Sequence, residues 1–460
     1  MTDIFDLHDR AYYIWRDAGV RRAVLVHLDA HHDGSPAADW EPVNIGNYVR
    51  AAIREDLVAA VFWIVPDPMW NDAATRAICV DELAHIRDGA VAGDAGEPRA
   101  GARATIEGAD VWMGPLADMP AVSRPVLLDV DVDYLLTTRY EEERTAEPLA
   151  IPWCWPEDLV VRLRSAGIVP HLTTIATSVT GGFAQIRWSH LAREIAARLD
   201  EAPPARLMSC FAALRHAAEL GDGGDGAGAV TACRAAVTAC PADAAAHFHL
   251  ASALQSTGQM DEARAAYRRA RQLDPFYAHP FRTRGPYLYR RRRFREAEAA
   301  YREALALAPD DSHAVLGLAM VALAQGRPAE ARGLAEQALL VHPDAVDGWR
   351  TLGRARRLLG DREGAIQAYD RALSLALKGG TGLQGPWASN PERRLIDPRH
   401  WADHAAAGEL HAGLGALDAA IAHFRIVSAA VPDAARWQRR LAALEARRQI
   451  GRAFGGVLPS

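Results

Sequence analysis

The segment Val24-Leu-Val-His-Leu-Asp-Ala-His-His-Asp33 carries an apolar run into Asp29, His31 and Asp33, two carboxylates and an imidazole spaced two residues apart. Side chains at i, i+2 and i+4 leave an extended strand on one face, so these three converge while strand geometry lasts. A second segment, Val126-Leu-Leu-Asp-Val-Asp-Val-Asp133, repeats the arrangement with Asp129, Asp131 and Asp133. Carboxylates crowded into a pocket of low dielectric repel one another and need cations beside them. Oxygen donors with a few imidazoles and no thiolate suit hard or borderline divalent ions such as Mn²⁺ rather than structural zinc. Two such ions about 3.5 Å apart lower the pKa of a bridging water enough to supply hydroxide near neutral pH, the chemistry of a water-attacking hydrolase. Either cluster alone is also what an Asx turn or a helix cap produces. Two of them in one region, each closing an apolar strand, point to a metal pocket.

Such clusters need strands that end side by side. Across residues 1–202, apolar runs of strand length (23–28, 58–65, 126–130 and 172–176) alternate with helical stretches such as 45–54 and 156–165. That alternation predicts an α/β domain with a mostly parallel sheet, whose strands read as unbroken Val, Leu and Ile because both faces are covered. In open α/β sheets ligands sit beyond the carboxyl ends of the strands, where both acidic clusters fall.

From residue 203 to about 450 the strand-like runs stop. Pro241, Pro275, Pro309 and Pro343 are 34 residues apart, as are Pro398 and Pro432. This is the tetratricopeptide period, one helix pair per unit. Ala263, Ala297, Ala331, Ala365 and Ala420 share one phase, where only a small side chain lets two helices approach; Tyr267, Tyr301, Tyr369 and Phe424 share another. Clear units span about 241–376 and 398–432, a degenerate one precedes them with 221–226 as its inter-helix loop, and 377–397 reads as an insertion. Residues 434–449 form a capping helix, and 451–460 a tail.

With 460 residues, half of them apolar, the chain has material for two or three cores. It has no apolar run near the roughly 20 residues of a membrane-spanning helix and opens without a signal-peptide plan, so a cytoplasmic location is expected. Its five cysteines show no Cys-x-x-Cys pair, which disfavours a disulfide framework or a zinc knuckle, and a net charge of −6 gives no general attraction to nucleic acid.

Asp29-Ala-His-His-Asp33 resembles the Asp-Ala-His-x-Asp motif of the arginase and deacetylase superfamily, and Leu128-Asp-Val-Asp-Val-Asp133 resembles its Phe-Asp-x-Asp-x-x-Asp motif. Within it, the chain is most similar to a divergent branch containing the peptidyl arginases of ribosomal-peptide biosynthesis. The branch shares an acidic-His segment like Asp6-Leu-His8, an Asn-x-x-Asn-aromatic segment like Asn44-Ile-Gly-Asn-Tyr48, and stretches like Thr174-Ile-Ala-Thr-Ser178 and Gly181-Gly-Phe183. The resemblance implies an arginase-like three-layer fold and two Mn²⁺ ions. One would be held by His8, Asp29, Asp33 and Asp129, the other by His31, Asp29, Asp129 and Asp131, with Asp33 also aiming the nucleophile. The upstream Gly-Gly-Asp-His context of His8 is missing, Tyr134 replaces the usual proline, and no stretch matches the loop that grips the α-amino and α-carboxylate groups of free arginine. A peptide substrate has neither group free.

The expected function is therefore Mn-dependent hydrolysis of arginine side chains in a precursor peptide, giving ornithine and urea, with the repeats gripping the peptide. Asp133 orients a ligand or contacts the guanidinium, and Gly181 and Gly182 let a peptide backbone approach. His27 reads as a core histidine, and His32 as structural. Trp153 and Trp155 belong to the pocket mouth or the core, and the basic turn Arg290-Arg-Arg-Arg-Phe-Arg295 to an acidic peptide or plain solvent. Two readings compete: a deacylase on the same metals, and a non-catalytic repeat protein that binds a partner or a second copy of itself.

Overall fold

The computed structural model describes residues 2–36, 43–88, 101–122, 126–137, 151–179, 184–200, 202–278, 284–377, 398–430 and 435–453. Gly181 and Gly182, the 378–397 insertion and all but the start of the tail lie outside them.

Seven strands form one sheet: β1 (Thr2–Phe5), β2 (Ala23–Leu28), β3 (Val58–Ile64), β4 (Ala102–Ile106), β5 (Ala109–Gly114), β6 (Val126–Asp131) and β7 (Pro170–Ala176). Their order is β1-β7-β6-β2-β3-β5-β4, with every neighbour parallel except the β4–β5 hairpin. Successive strand residues supply opposite cores. Leu25, Trp63, Val111 and Leu127 pack on one face with α1 (Arg10–Asp17), α2 (Tyr48–Arg54) and, after α3 (Asp67–Asn71), α4 (Ala73–Ile86). Val26, Leu28, Ile64, Leu128 and Val130 pack on the other with α5 (Pro156–Ser165) and α6 (His190–Leu199). Three layers result, as two-sided burial of a parallel sheet requires.

The order in which strands are added reverses at the middle of the sheet. From β2 the chain builds outward through β3 and β5, then returns to place β6 on the other side of β2, followed by β7. A crevice opens beyond the strand ends at such a switch point.

Helix pairs follow from α7 (Ala205–Asp222) and α8 (Gly226–Ala239) to the final helix Ala435–Ala453. All five alanines of the small-residue phase are fully buried, and the aromatic residues of the other phase are buried as well. The chain divides into two compact units, one comprising 1–287 with 306–309, the other 288–305 with 310–460. The first unit therefore contains the sheet domain and the leading helix pairs. Composition changes at Pro203, whereas close packing continues to Tyr287.

Candidate metal centre

Parallel register sets the first row of side chains. His27 on β2 lies directly beside Asp129 on β6, and Asp129 beside Thr174 on β7. The Thr174 hydroxyl accepts from the Trp15 indole at 3.2 Å and donates to Asp129 Oδ1 at 2.6 Å. The Tyr48 hydroxyl donates to Asp129 Oδ2 at 2.8 Å, and His27 Nδ1 lies 3.1 Å from the same oxygen. Asp129 is thus held from three sides before any cation is considered.

Past the strand ends the backbone bends the remaining groups inward. Asp33 and Ser178 take left-handed conformations, with φ of +47° and +50°, which cost a non-glycine residue about 1–3 kcal/mol and persist only where the surroundings enforce them. The Asp33 carbonyl accepts from the Val49 N–H at the start of α2, and the buried Arg50 guanidinium binds the next carbonyl, Gly34, at 3.1 Å. Ser178 donates to Asp131. Asp6 ties the loop after β7 to the loop after β1, accepting from the Thr177 hydroxyl at 2.7 Å and the Val179 N–H at 2.9 Å. His8, two residues on, is thereby turned into the crevice.

There His8 Nδ1 stands 3.1 Å from Asp29 Oδ2, 3.2 Å from Asp33 Oδ2 and 3.2 Å from Asp131 Oδ2, while Nε2 is 3.0 Å from Asp129 Oδ2. His31 Nδ1 is 3.3 Å from Asp29 and 3.0 Å from Asp133. The structure thus brings His8, Asp29, Asp33, Asp129 and Asp131 together, and groups His31 with Asp29 and Asp133. Ligand atoms of four overlapping trios, His8/Asp29/Asp131, His8/His27/Asp129, His27/Asp29/Asp33 and Asp29/His31/Asp133, each fall within 4.8 Å of one another.

The electrostatics ask for more positive charge. Five carboxylates face three imidazoles, so the acidic groups outnumber the rings that could neutralise them. Among the described residues no lysine or arginine forms an ion pair with these carboxylates. Burial alone would lower the His8 and His31 pKa values, but Asp129 beside His8 and Asp133 beside His31 overrule it and raise both. Burial, with Asp131 and Asp29 nearby, pushes Asp133 up to about 8. His8 Nδ1 and Nε2 and His27 Nε2 are buried without a hydrogen-bond partner. Aligned, unsatisfied donor atoms in a carboxylate-rich pocket fit a pair of oxygen-preferring divalent ions.

Three contributors, Tyr48, Thr174 and Ser178, had no role assigned from the sequence, and His27, expected as a core histidine, is buried beside Asp129 in the cluster. His27 shares a strand face with Asp29, two residues on, a parity signal obscured by the fully apolar run around it. Tyr48, Thr174 and Ser178 lie in segments singled out by resemblance, but what they touch depends on strand pairing distant in sequence. His32 lies 3.2 Å from Glu82, outside the cluster. Trp155 packs in the core against Trp188, and the Trp153 indole donates to the Tyr134 carbonyl.

Family models for the tetratricopeptide repeat match residues 244–277, 282–339 and 318–378. Among curated proteins nothing matches. Solved structures similar to this chain include pilF of Pseudomonas aeruginosa, at 22% identity over 52% of this chain and all of that one, with a TM-score of 0.30. PilW, a type IV pilus biogenesis factor, aligns at 21% identity over 52% of this chain and all of its own, TM-score 0.28. YrrB, described as a repeat protein with an unusual peptide-binding site, aligns at 17% over 46% of this chain and 98% of its own, TM-score 0.29. No described helix is long and apolar enough to cross a membrane. By the family matches and the 34-residue packing phase, the C-terminal part of the chain is built of tetratricopeptide repeats.

Proposed function

We propose that the sheet domain is a two-metal hydrolase, with Mn²⁺ as its ion, that acts on arginine side chains of a peptide bound by the repeats in the cytoplasm. One observation carries this reading: five carboxylates and three imidazoles converge at the ends of strands β1, β2 and β6, in carboxylate excess and with unsatisfied donor atoms. His8, Asp29, Asp33, Asp129 and Asp131 hold the ions, and Asp133 with His31 completes the cage. Bound divalent ions supply a hydroxide nucleophile near neutral pH and stabilise charge developing on the substrate.

The chain's own groups do the rest. Thr174, Tyr48 and His27 fix both Asp129 oxygens, so the carboxylate needs no reorganisation as charge develops. His31 Nδ1 lies 3.0 Å from Asp133 Oδ2, with the His31 side chain 36% exposed, a pair placed to pass protons to solvent. The arginase-superfamily motifs support the guanidinium as substrate: water adds at its carbon, the bond to Nε breaks, urea departs and ornithine stays in the peptide. Repeats present a concave surface suited to a peptide, and tethering raises the local concentration of the reactive side chain.

Incubating the full chain with Mn²⁺ and an arginine-containing peptide should lower the peptide mass by about 42 Da per arginine converted, the urea lost less the water gained. An unchanged mass in protein that retains two Mn²⁺ would overturn the substrate assignment, and turnover of acyl-lysine instead would establish the deacylase reading. The family match favours a second reading, in which the repeats alone act by binding a partner or a second copy. It requires that the domain bind no metal and that Asp29→Ala with Asp129→Ala leave function intact.

A further inference from the structure

The second cluster of metal-ligating side chains lies far along the sequence, in the last repeats. Asp370 sits on the helix Arg362–Leu377, His404 and His411 on Pro398–Gly413, and His423 on Leu417–Ala430. His404 and His411 are seven residues apart, two turns of one helix, and so share a face. His411 and His423 stack with ring centroids 5.4 Å apart and planes 17° from parallel. His423 Nε2 lies 3.8 Å from Asp370 Oδ1, and ligand atoms of Asp370, His411 and His423 all fall within 4.8 Å of one another.

What lifts this trio above a packing accident is the fourth residue. His404 Nδ1 and His423 Nδ1 are 2.9 Å apart, so one ring donates to the other. With His423 as donor, its proton is fixed on Nδ1 and the Nε2 lone pair turns toward Asp370. A ligating histidine is usually oriented in this way, through a hydrogen bond from its other nitrogen. We propose that Asp370, His411 and His423 bind one zinc ion, with His404 as the positioning residue for His423, and that the ion staples three helices of the final repeats.

The donor set separates this site from the sheet-domain cluster. Two imidazoles and one carboxylate favour a borderline transition ion such as Zn²⁺, whereas a carboxylate-rich cage favours Mn²⁺. Zinc bonds of about 2.0–2.1 Å in a tetrahedron hold donors roughly 3.4 Å apart, so the 3.8 Å pair must close by only a few tenths of an ångström. The Asp370 side chain is half exposed, at the solvent side of the trio. The ion would join side chains on both sides of residues 378–397.

The test is zinc titration of the metal-stripped full chain against a chromophoric chelator. Wild type should bind one equivalent more than His423→Gln or His411→Asn, whatever the sheet-domain cluster takes up in all of them. Asp129→Asn should retain that equivalent. His404→Phe should keep the stoichiometry and weaken affinity about 10–100-fold, as loss of an orienting partner does. Equal zinc stoichiometry and affinity in wild type and His411→Asn overturns the site. Should His423→Gln fail to fold by circular dichroism, Asp370→Asn and His411→Asn, which alter more exposed positions, decide the matter.

Discussion

Asp129 shows how the centre is built from single atoms. Its Oδ1 takes the Thr174 hydroxyl, and its Oδ2 takes the Tyr48 hydroxyl and faces His27 and His8. Tyr48→Phe keeps the buried ring but removes one donor from a charged acceptor, a loss of about 1.5–3 kcal/mol. The expected outcome is Mn²⁺ affinity about 10–100-fold weaker by calorimetric titration, with unchanged circular dichroism. Unaltered affinity would show that the tyrosine serves packing alone. At this scale the sequence exposed the residues that alternate at strand ends, Asp29, His31, Asp33, Asp129, Asp131 and Asp133, because alternation is a local property. Tyr48, Thr174 and Ser178 reach the site through strand pairings and loops far apart in sequence, and no local pattern carries that information. His27 falls between: its parity with Asp29 was visible, but an apolar strand buried on both faces gives no sign of which face holds the pocket.

The elements follow their local signals closely. Pro156–Ser165 forms as its composition requires, with Pro at the first turn, Glu157 and Asp158 at the N-terminus, and Arg162 and Arg164 at the C-terminus, complementing the helix dipole. The repeats were legible because each unit reports the same geometry again. That repetition also reveals a local misfit. Gly224, Gly258, Gly326 and Gly360 end their helices with φ between +76° and +84°, and the 34-residue spacing places Arg292 in the same slot, at φ +60°. A side chain in the left-handed region costs roughly 1–2 kcal/mol that glycine does not incur, partly offset by the greater freedom glycine loses on folding. Arg292→Gly should therefore stabilise this repeat by about 1 kcal/mol, read as a higher urea midpoint. If Arg292→Gly also weakens binding of an acidic peptide, the basic turn was retained for contact at the expense of stability. A lower midpoint would mean that the Arg292 side chain contributes packing the left-handed conformation exists to make.

On the scale of the whole first unit, the sheet domain and the leading helix pairs meet through polar contacts that the sequence did not announce. Arg193 pairs with Asp243 at 2.8 Å, and the Ser189 and Tyr277 hydroxyls lie 2.9 Å apart. His190 and His249 meet edge to face at 4.9 Å beneath Trp188, and each donates to the Arg187 carbonyl at 2.8 Å. Burial, aided by the Arg187 cation, drives the His249 pKa down to about 4, against the pull of the Arg187 carbonyl and Asp243. His190 is lowered as well, by burial and by its neighbour His249. Both rings are thus neutral in the folded chain and regain their ordinary pKa when it unfolds. Between about pH 6.5 and pH 4 the unfolded chain binds protons that the folded chain refuses, so stability falls as pH falls through that window and is fully present above it. For His249 alone the loss amounts to about 3 kcal/mol once pH reaches the folded value. Urea midpoints should fall between pH 7 and pH 5 in the wild type. In His249→Gln, whose amide can still donate to the Arg187 carbonyl, the fall should be shallower. Because the carboxylate cluster titrates identically in both proteins, the difference in slope reports the buried histidine. Parallel slopes would mean that the joint opens far enough to hydrate His249, and that the first helix pairs dock on the sheet domain more loosely than their buried contacts require.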